Sequence, residues 1–187
     1  MLPTINIQIM CDADKNIVYI SPCYTGRTHD STALSSSAVF EHLECDNTPL
    51  LREHCYVVAD LGYACSGKVI RPYSKGGIKD PSYVLFNNWH RSVRSIVENT
   101  FKDVKFRCYS FKAGCRARDF KELSDQIQAG FVLHMFAKRH EDELYKRKRI
   151  VVPFNVDSSL HNTNGAELRD KIRILLKKQH DEKNKQN

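Results

Sequence analysis

No apolar run in this 187-residue sequence approaches the roughly eighteen residues of a membrane span. Met1-Leu2-Pro3-Thr4 begins no secretory signal. Both absences lead to the expectation of an intracellular protein. There is no Cys-x-x-Cys pair, and the seven cysteines, at 11, 23, 45, 55, 65, 108 and 115, are odd in number. Neither a zinc ribbon nor a disulfide framework is therefore expected, and the thiols read as reduced and mostly packed. No internal repeat and no helix-turn-helix is evident.

What is present suits one ordinary domain with a tail: hydrophobic residues make up 41% and charged residues 27%, enough to bury a core. The formal charge of +7 and pI near 9.0 permit a polyanionic partner without naming one. Distribution is more informative. Residues 91–121 hold nine Lys or Arg against three acids, and residues 138–187 hold thirteen against eight.

Ile5-Asn6-Ile7-Gln8-Ile9-Met10-Cys11 alternates apolar with polar and reads as a strand, with Ile17-Val18-Tyr19-Ile20 as its neighbour across a turn at 12–16. Asp30 or Ser31 is placed to cap a helix through about residue 43. A strand is predicted over 56–59, then a glycine- and proline-rich stretch with one short strand at Val69-Ile70. The apolar spacing of Trp89, Val93, Ile96, Val97, Thr100, Phe101 and Val104 predicts a helix over about 88–105. Phe120, Leu123, Ile127, Phe131 and His134 predict another over about 117–138, with His134 as a core histidine. Strands first and helices last suggest a layered α/β domain over residues 1–138. Residues 139–187 read as a basic tail, with Lys146-Arg147-Lys148-Arg149 as a nuclear-import signal, a phosphate contact or a plain linker. Asn164 and Glu167 mark the start of a helix over about 165–179.

Three acids stand out. Asp60 ends the apolar run Cys55-Tyr56-Val57-Val58-Ala59, and Glu98 follows, with 37 residues between them, on a helix with cations on its face. Asp30 lies in Gly26-Arg27-Thr28-His29-Asp30-Ser31. A strand end and a later helix are suited to bringing carboxylates to one metal site. Each acid also has a plainer reading: Asp30 as a helix cap, Asp60 as a turn residue, Glu98 as a partner of Arg94 or Lys102. His29 reads either as an auxiliary to such a site or as a loop histidine. Arg91, Arg94, Lys102 and Lys105 read as phosphate contacts or as a solvated helix face.

Five segments, in order, resemble the Harbinger transposase-derived nucleases and the related DDE superfamily endonucleases. They are Ile7 to Asp14, Gly26 to Ser31, Ala59-Asp60-Leu61-Gly62-Tyr63, Phe86-Asn87 through His90 and Arg94 to Val97-Glu98-Asn99-Thr100-Phe101, and Leu133-His134-Met135. In the last, Met replaces the family's Asn. The resemblance spans about residues 5–138.

That resemblance implies an RNase H-like α/β domain, a mixed sheet with flanking helices, that cuts or transfers DNA phosphodiesters. Carried over, Asp30, Asp60 and Glu98 are the catalytic acids and ligands of Mg2+ or Mn2+. Carboxylates about 4 Å apart repel by roughly 4 kcal/mol at an effective dielectric of 20, so converging acids call for a cation or a proton. The family's further Asp lies on a strand that would precede Met1, so the resemblance implies an amino-terminally truncated form that lacks one ligand and is either an active nuclease or an inactive remnant. It also implies DNA as substrate, a Myb-like DNA-binding partner, and a nuclear location that extends to the cytoplasm; the lack of long apolar runs adds the expectation of no membrane association. A non-catalytic DNA- or protein-binding remnant is the competing expectation.

Overall fold

Two hydrogen bonds between Gln8 and Ser21 shape the amino-terminal strands. The Ser21 amide donates to the Gln8 carbonyl at 2.9 Å, and the Gln8 amide donates to Ser21 Oγ, also at 2.9 Å. A side chain thus takes a position that a ladder carbonyl would hold. The stretch expected as one strand divides there into β1 (Ile5–Asn6) and β2 (Ile9–Cys11). β3 (Ile17–Ile20) pairs antiparallel with β2, and β4 (Tyr24–Thr25), which the alternation did not foretell, pairs antiparallel with β1. The turn between β2 and β3 is held by Asp12, whose Oδ1 accepts from the Asp14 and Asn16 amides at 2.9 and 2.8 Å. Lys15 takes the left-handed backbone this turn requires, at φ 61°.

The computed structural model describes residues 5–44, 51, 55–65, 67–77, 80–140 and 164–185. The basic run at 146–149 lies outside them.

The single helix expected over 31–43 is two, α1 (Asp30–Ser35) and α2 (Ala38–Glu44). The serines between them account for the break. Ser35 Oγ donates to the Thr32 carbonyl at 3.2 Å and Ser37 Oγ to the Leu34 carbonyl at 2.5 Å, local bonds that compete with the helical ladder. Asp30 is also not the cap: His29 holds that position, with no side-chain bond, and Asp30 opens the first turn.

β5 (Val57–Val58) and β6 (Val69–Ile70) pair parallel, with Val69 and Ile70 fully buried. The described strands thus form three two-stranded sheets, where one mixed sheet was expected. α3 (Pro81–Arg107) begins seven residues before its predicted start at 88. Asp80 Oδ1 accepts from the Ser82 amide at 2.7 Å, and Pro81 needs no donor partner at the first helical position. A short α4 (Tyr109–Ala113) follows, then α5 (Phe120–Arg139), capped by Asp119 through the Glu122 amide at 2.8 Å. α6 (Gly165–Lys185) starts where Asn164 Oδ1 accepts from the Ala166 and Glu167 amides, at 3.1 and 3.0 Å.

The chain divides into two compact units, with α3 passing from one to the other after Arg94. The first holds β1–β4, α4, α5 and α3 from Ser95. Its core gathers Ile17, Val104 and Phe131, with Phe101 edge-on to Phe131 at 5.9 Å. The second holds α1, α2, β5, β6, α3 up to Arg94, and α6. Ile70, Phe86, Leu168 and Ile172 form its core, so the carboxy-terminal helix is an integral layer of that unit. There Asn87 clamps the preceding loop, accepting from the Tyr73 amide at 2.9 Å and donating to its carbonyl at 3.0 Å.

Candidate active site

Parallel pairing of β5 with β6 fixes the backbone just ahead of Asp60: the Ala59 amide donates to the Ile70 carbonyl at 2.8 Å. The chain then turns, with the Tyr63 amide donating to the Asp60 carbonyl at 3.1 Å. Asp60 uses its oxygens differently. Oδ1 accepts from the Leu61 amide at 2.7 Å, and Oδ2 meets Arg94 Nη1 at 3.1 Å.

Asp30, from the first turn of α1, approaches the same bend. A Cβ at Gly62 would lie 3.2 Å from Asp30 Oδ2, so a larger residue there would displace this carboxylate by a few tenths of an ångström. Tyr63 stands beside both acids. Its phenol is pushed up to about 12, by burial first and then by the charges of Asp30 and Asp60, with Arg94 opposing. Arg71 Nη1 donates to the Tyr63 carbonyl at 3.3 Å.

His90 lies inside this unit, 2% exposed. Burial holds its imidazole below the usual histidine range, against the pull of the Ile70 and Ala59 carbonyls and of Asp60. Nε2 has no hydrogen-bond partner among the described residues.

The remaining candidates are distributed. Glu98 is exposed in the first unit, where it lines a groove of about 830 Å3 with Ile5, Ile7, Phe101, Lys102 and Lys105. His29 and Arg91 are exposed in the second unit, and Lys102 and Lys105 in the first. Arg94 lies on Asp60. His134 is buried, as its helical spacing suggested. Gly62, Tyr63 and His90 all stand within the motifs above, but neither periodicity nor spacing marks them as site residues. Their signal was proximity, with Gly62 and Tyr63 two and three residues past Asp60 and His90 four before Arg94.

Among the described residues, no group of three or more His, Cys, Asp or Glu side chains is placed to hold a metal ion. The Asp30 and Asp60 pair nevertheless fits a hard divalent cation in chemistry. It offers carboxylate oxygens from two elements at one bend, and both charges add to the burial that raises the Tyr63 phenol, with Arg94 opposing. Mg2+ commonly takes only one or two protein carboxylates and keeps several waters.

A family model described as DDE superfamily endonuclease matches residues 2–135. The chain belongs to this family of transposase-type nucleases. Neither the curated proteins nor the solved structures contain a match to it. Membership implies divalent-metal chemistry on DNA, carried in families of this kind by acidic side chains. Among the described residues no helix is long and apolar enough to cross a membrane.

Proposed function

We propose that this protein is a Harbinger-type, RNase H-like nuclease that hydrolyses or transfers DNA phosphodiester bonds, with Asp30 and Asp60 as ligands of Mg2+ or Mn2+. The observation that carries this reading is the approach of both aspartates to the Gly62–Tyr63 bend. A divalent ion bound there would polarise a phosphate oxygen and activate water or a 3′ hydroxyl. The protein's own part is to hold the carboxylates in place. The Leu61 amide does this for Asp60, and Gly62 leaves room for Asp30. The family resemblance assigns Glu98 as the third acid, and His29, exposed beside Asp30, as an auxiliary. Arg91, Lys102 and Lys105 suit phosphate contacts, being exposed cations. With no helix-turn-helix in its sequence, the chain would take its target choice from a Myb-like DNA-binding partner, and it would act in the nucleus.

A second reading, a DNA- or protein-binding protein without catalysis, is favoured by one observation: Arg94 already neutralises Asp60 at 3.1 Å.

Titration with Mn2+ while the melting temperature is followed separates the two. A ligand at about 100 times its Kd stabilises by about 2.7 kcal/mol, a rise of roughly 5–10 °C for a chain of this size. Asp60→Asn is expected to abolish the rise, and Asp60→Asn and Glu98→Gln are each expected to abolish nicking of supercoiled plasmid. Nicking that survives both substitutions would reject the assignment of the acids. The absence of any Mn2+ response would favour the binding protein.

A further inference from the structure

The segment joining α3 to α5 brings cations and uncovered aromatic rings together. From Lys102 to Arg118 it holds six Lys or Arg and one acid, Asp103. That acid is already taken by Lys15 at 2.8 Å. Lys105, Lys112 and Arg116 are exposed and enter no ion pair among the described residues. Three of the six cations of this stretch thus face solvent without an anionic partner among the described residues.

Within the same stretch Phe106 is 89% exposed and Tyr109 75%. Their α-carbons, three residues apart, lie within about 11 Å of each other by chain length alone. Phe111, two residues beyond Tyr109, turns inward against Phe131 with ring centroids 6.0 Å apart. One ring thus anchors the segment while two stand outside it. Large apolar rings left in water beside a cationic rim mark a contact surface.

The chemistry selects the partner. In a duplex the base faces are stacked on one another, so a protruding ring finds only phosphates and groove edges. An unpaired strand offers flat base faces for the rings and phosphates for the lysines. An acidic polypeptide would match the cations but gives the rings no regular stack of π faces.

We propose that the α3–α5 connection binds unpaired nucleic-acid strands, with Phe106 and Tyr109 as stacking platforms and Lys105, Lys112 and Arg116 as phosphate contacts. This rests on the DNA reading above for the class of polyanion and requires no cleavage.

The test uses the full chain in EDTA, with fluorescence anisotropy of a labelled oligo(dT) of about 20 nucleotides and of a duplex of equal length, long enough to exceed a typical single-strand site. Oligo(dT) is expected to bind more tightly than the duplex. Phe106→Ala with Tyr109→Ala is expected to weaken oligo(dT) binding about tenfold or more and to change duplex binding less than about twofold. The pair Phe106→Trp with Tyr109→Phe is expected to retain binding. Lys112→Gln and Arg116→Gln are each expected to reduce the slope of log K against log salt by about 0.7. Circular dichroism is expected to show all these variants folded, because the side chains are exposed. Tighter duplex binding, equal loss on both probes, or displacement of oligo(dT) by polyglutamate at matched charge would overturn the proposal. Plasmid nicking plays no part in these titrations, so this proposal and the nuclease reading fail separately.

Discussion

Asp60 divides its carboxylate between a backbone amide and a guanidinium, which makes Arg94 the informative neighbour. The pair is partly open to solvent, with Asp60 51% and Arg94 29% exposed, so its contribution to stability is about 1 kcal/mol or less. Arg94→Ala is expected to lower the melting temperature only slightly. It should also strengthen the response to Mn2+, because the competing cation is gone. Loss of that response in Arg94→Ala would mean that the arginine orients Asp60 and does not compete for it. His90 carries a different expectation. Its folded pKa lies below the ordinary 6.5, so as pH falls through about 6.5 the unfolded chain takes up a proton that the folded chain resists. Stability is full above that range and is lost as pH falls toward the folded pKa. Melting curves between about pH 7.5 and 5.5, above the carboxylate range, should decline in the parent and flatten in His90→Gln. An unchanged slope in the variant would remove His90 as the source.

At the scale of elements, side-chain caps decide where helices begin. Asp80, Asp119 and Asn164 each accept from backbone amides at a helix start. Asn164→Ala is expected to cost about 1 kcal/mol, read as a lower urea midpoint with an unchanged denaturant slope. Leu168, one turn further and fully buried against Ile70 and Phe86, has far more at stake. Leu168→Ala should cost roughly 2–5 kcal/mol through lost burial and a residual cavity. A cost below that of the cap variant would show that α6 does not pack as described. Arg169 and Arg173 reinforce the same docking by lying over Tyr73 and Tyr83 at 4.1 and 4.3 Å.

For the whole molecule, the division into two units gives each its own reporter. Trp89, the single tryptophan, packs against the Ile70–Phe86–Leu168–Ile172 cluster and belongs to the second unit. Leu168→Ala is expected to lower the urea midpoint followed by Trp89 fluorescence. Phe131→Ala acts on the Ile17–Val104 cluster of the other unit and should appear first in far-UV circular dichroism. A Trp89 midpoint untouched by Leu168→Ala would contradict the assignment of α6 to that core.

Local chemistry was legible without coordinates. Strand alternation at β2, the turn at 12–16, the apolar stripe of α3, that of α5 apart from Phe120, which is 46% exposed, and the Asn164 cap all depend on neighbours close in the chain, where periodicity and turn chemistry act directly. The order of the motifs likewise pointed to the family before any distance was known. Other features depended on partners distant in sequence. Ser21 interrupts a strand that reads as continuous, Asp30 meets Gly62 across 32 positions, and Arg94 comes to rest on Asp60. α6 likewise joins a core begun a hundred residues earlier. Amino-acid pattern records what a residue prefers, but which of several cations reaches a carboxylate, and which glycine comes to lie beside it, is settled only when packing brings remote segments into van der Waals contact.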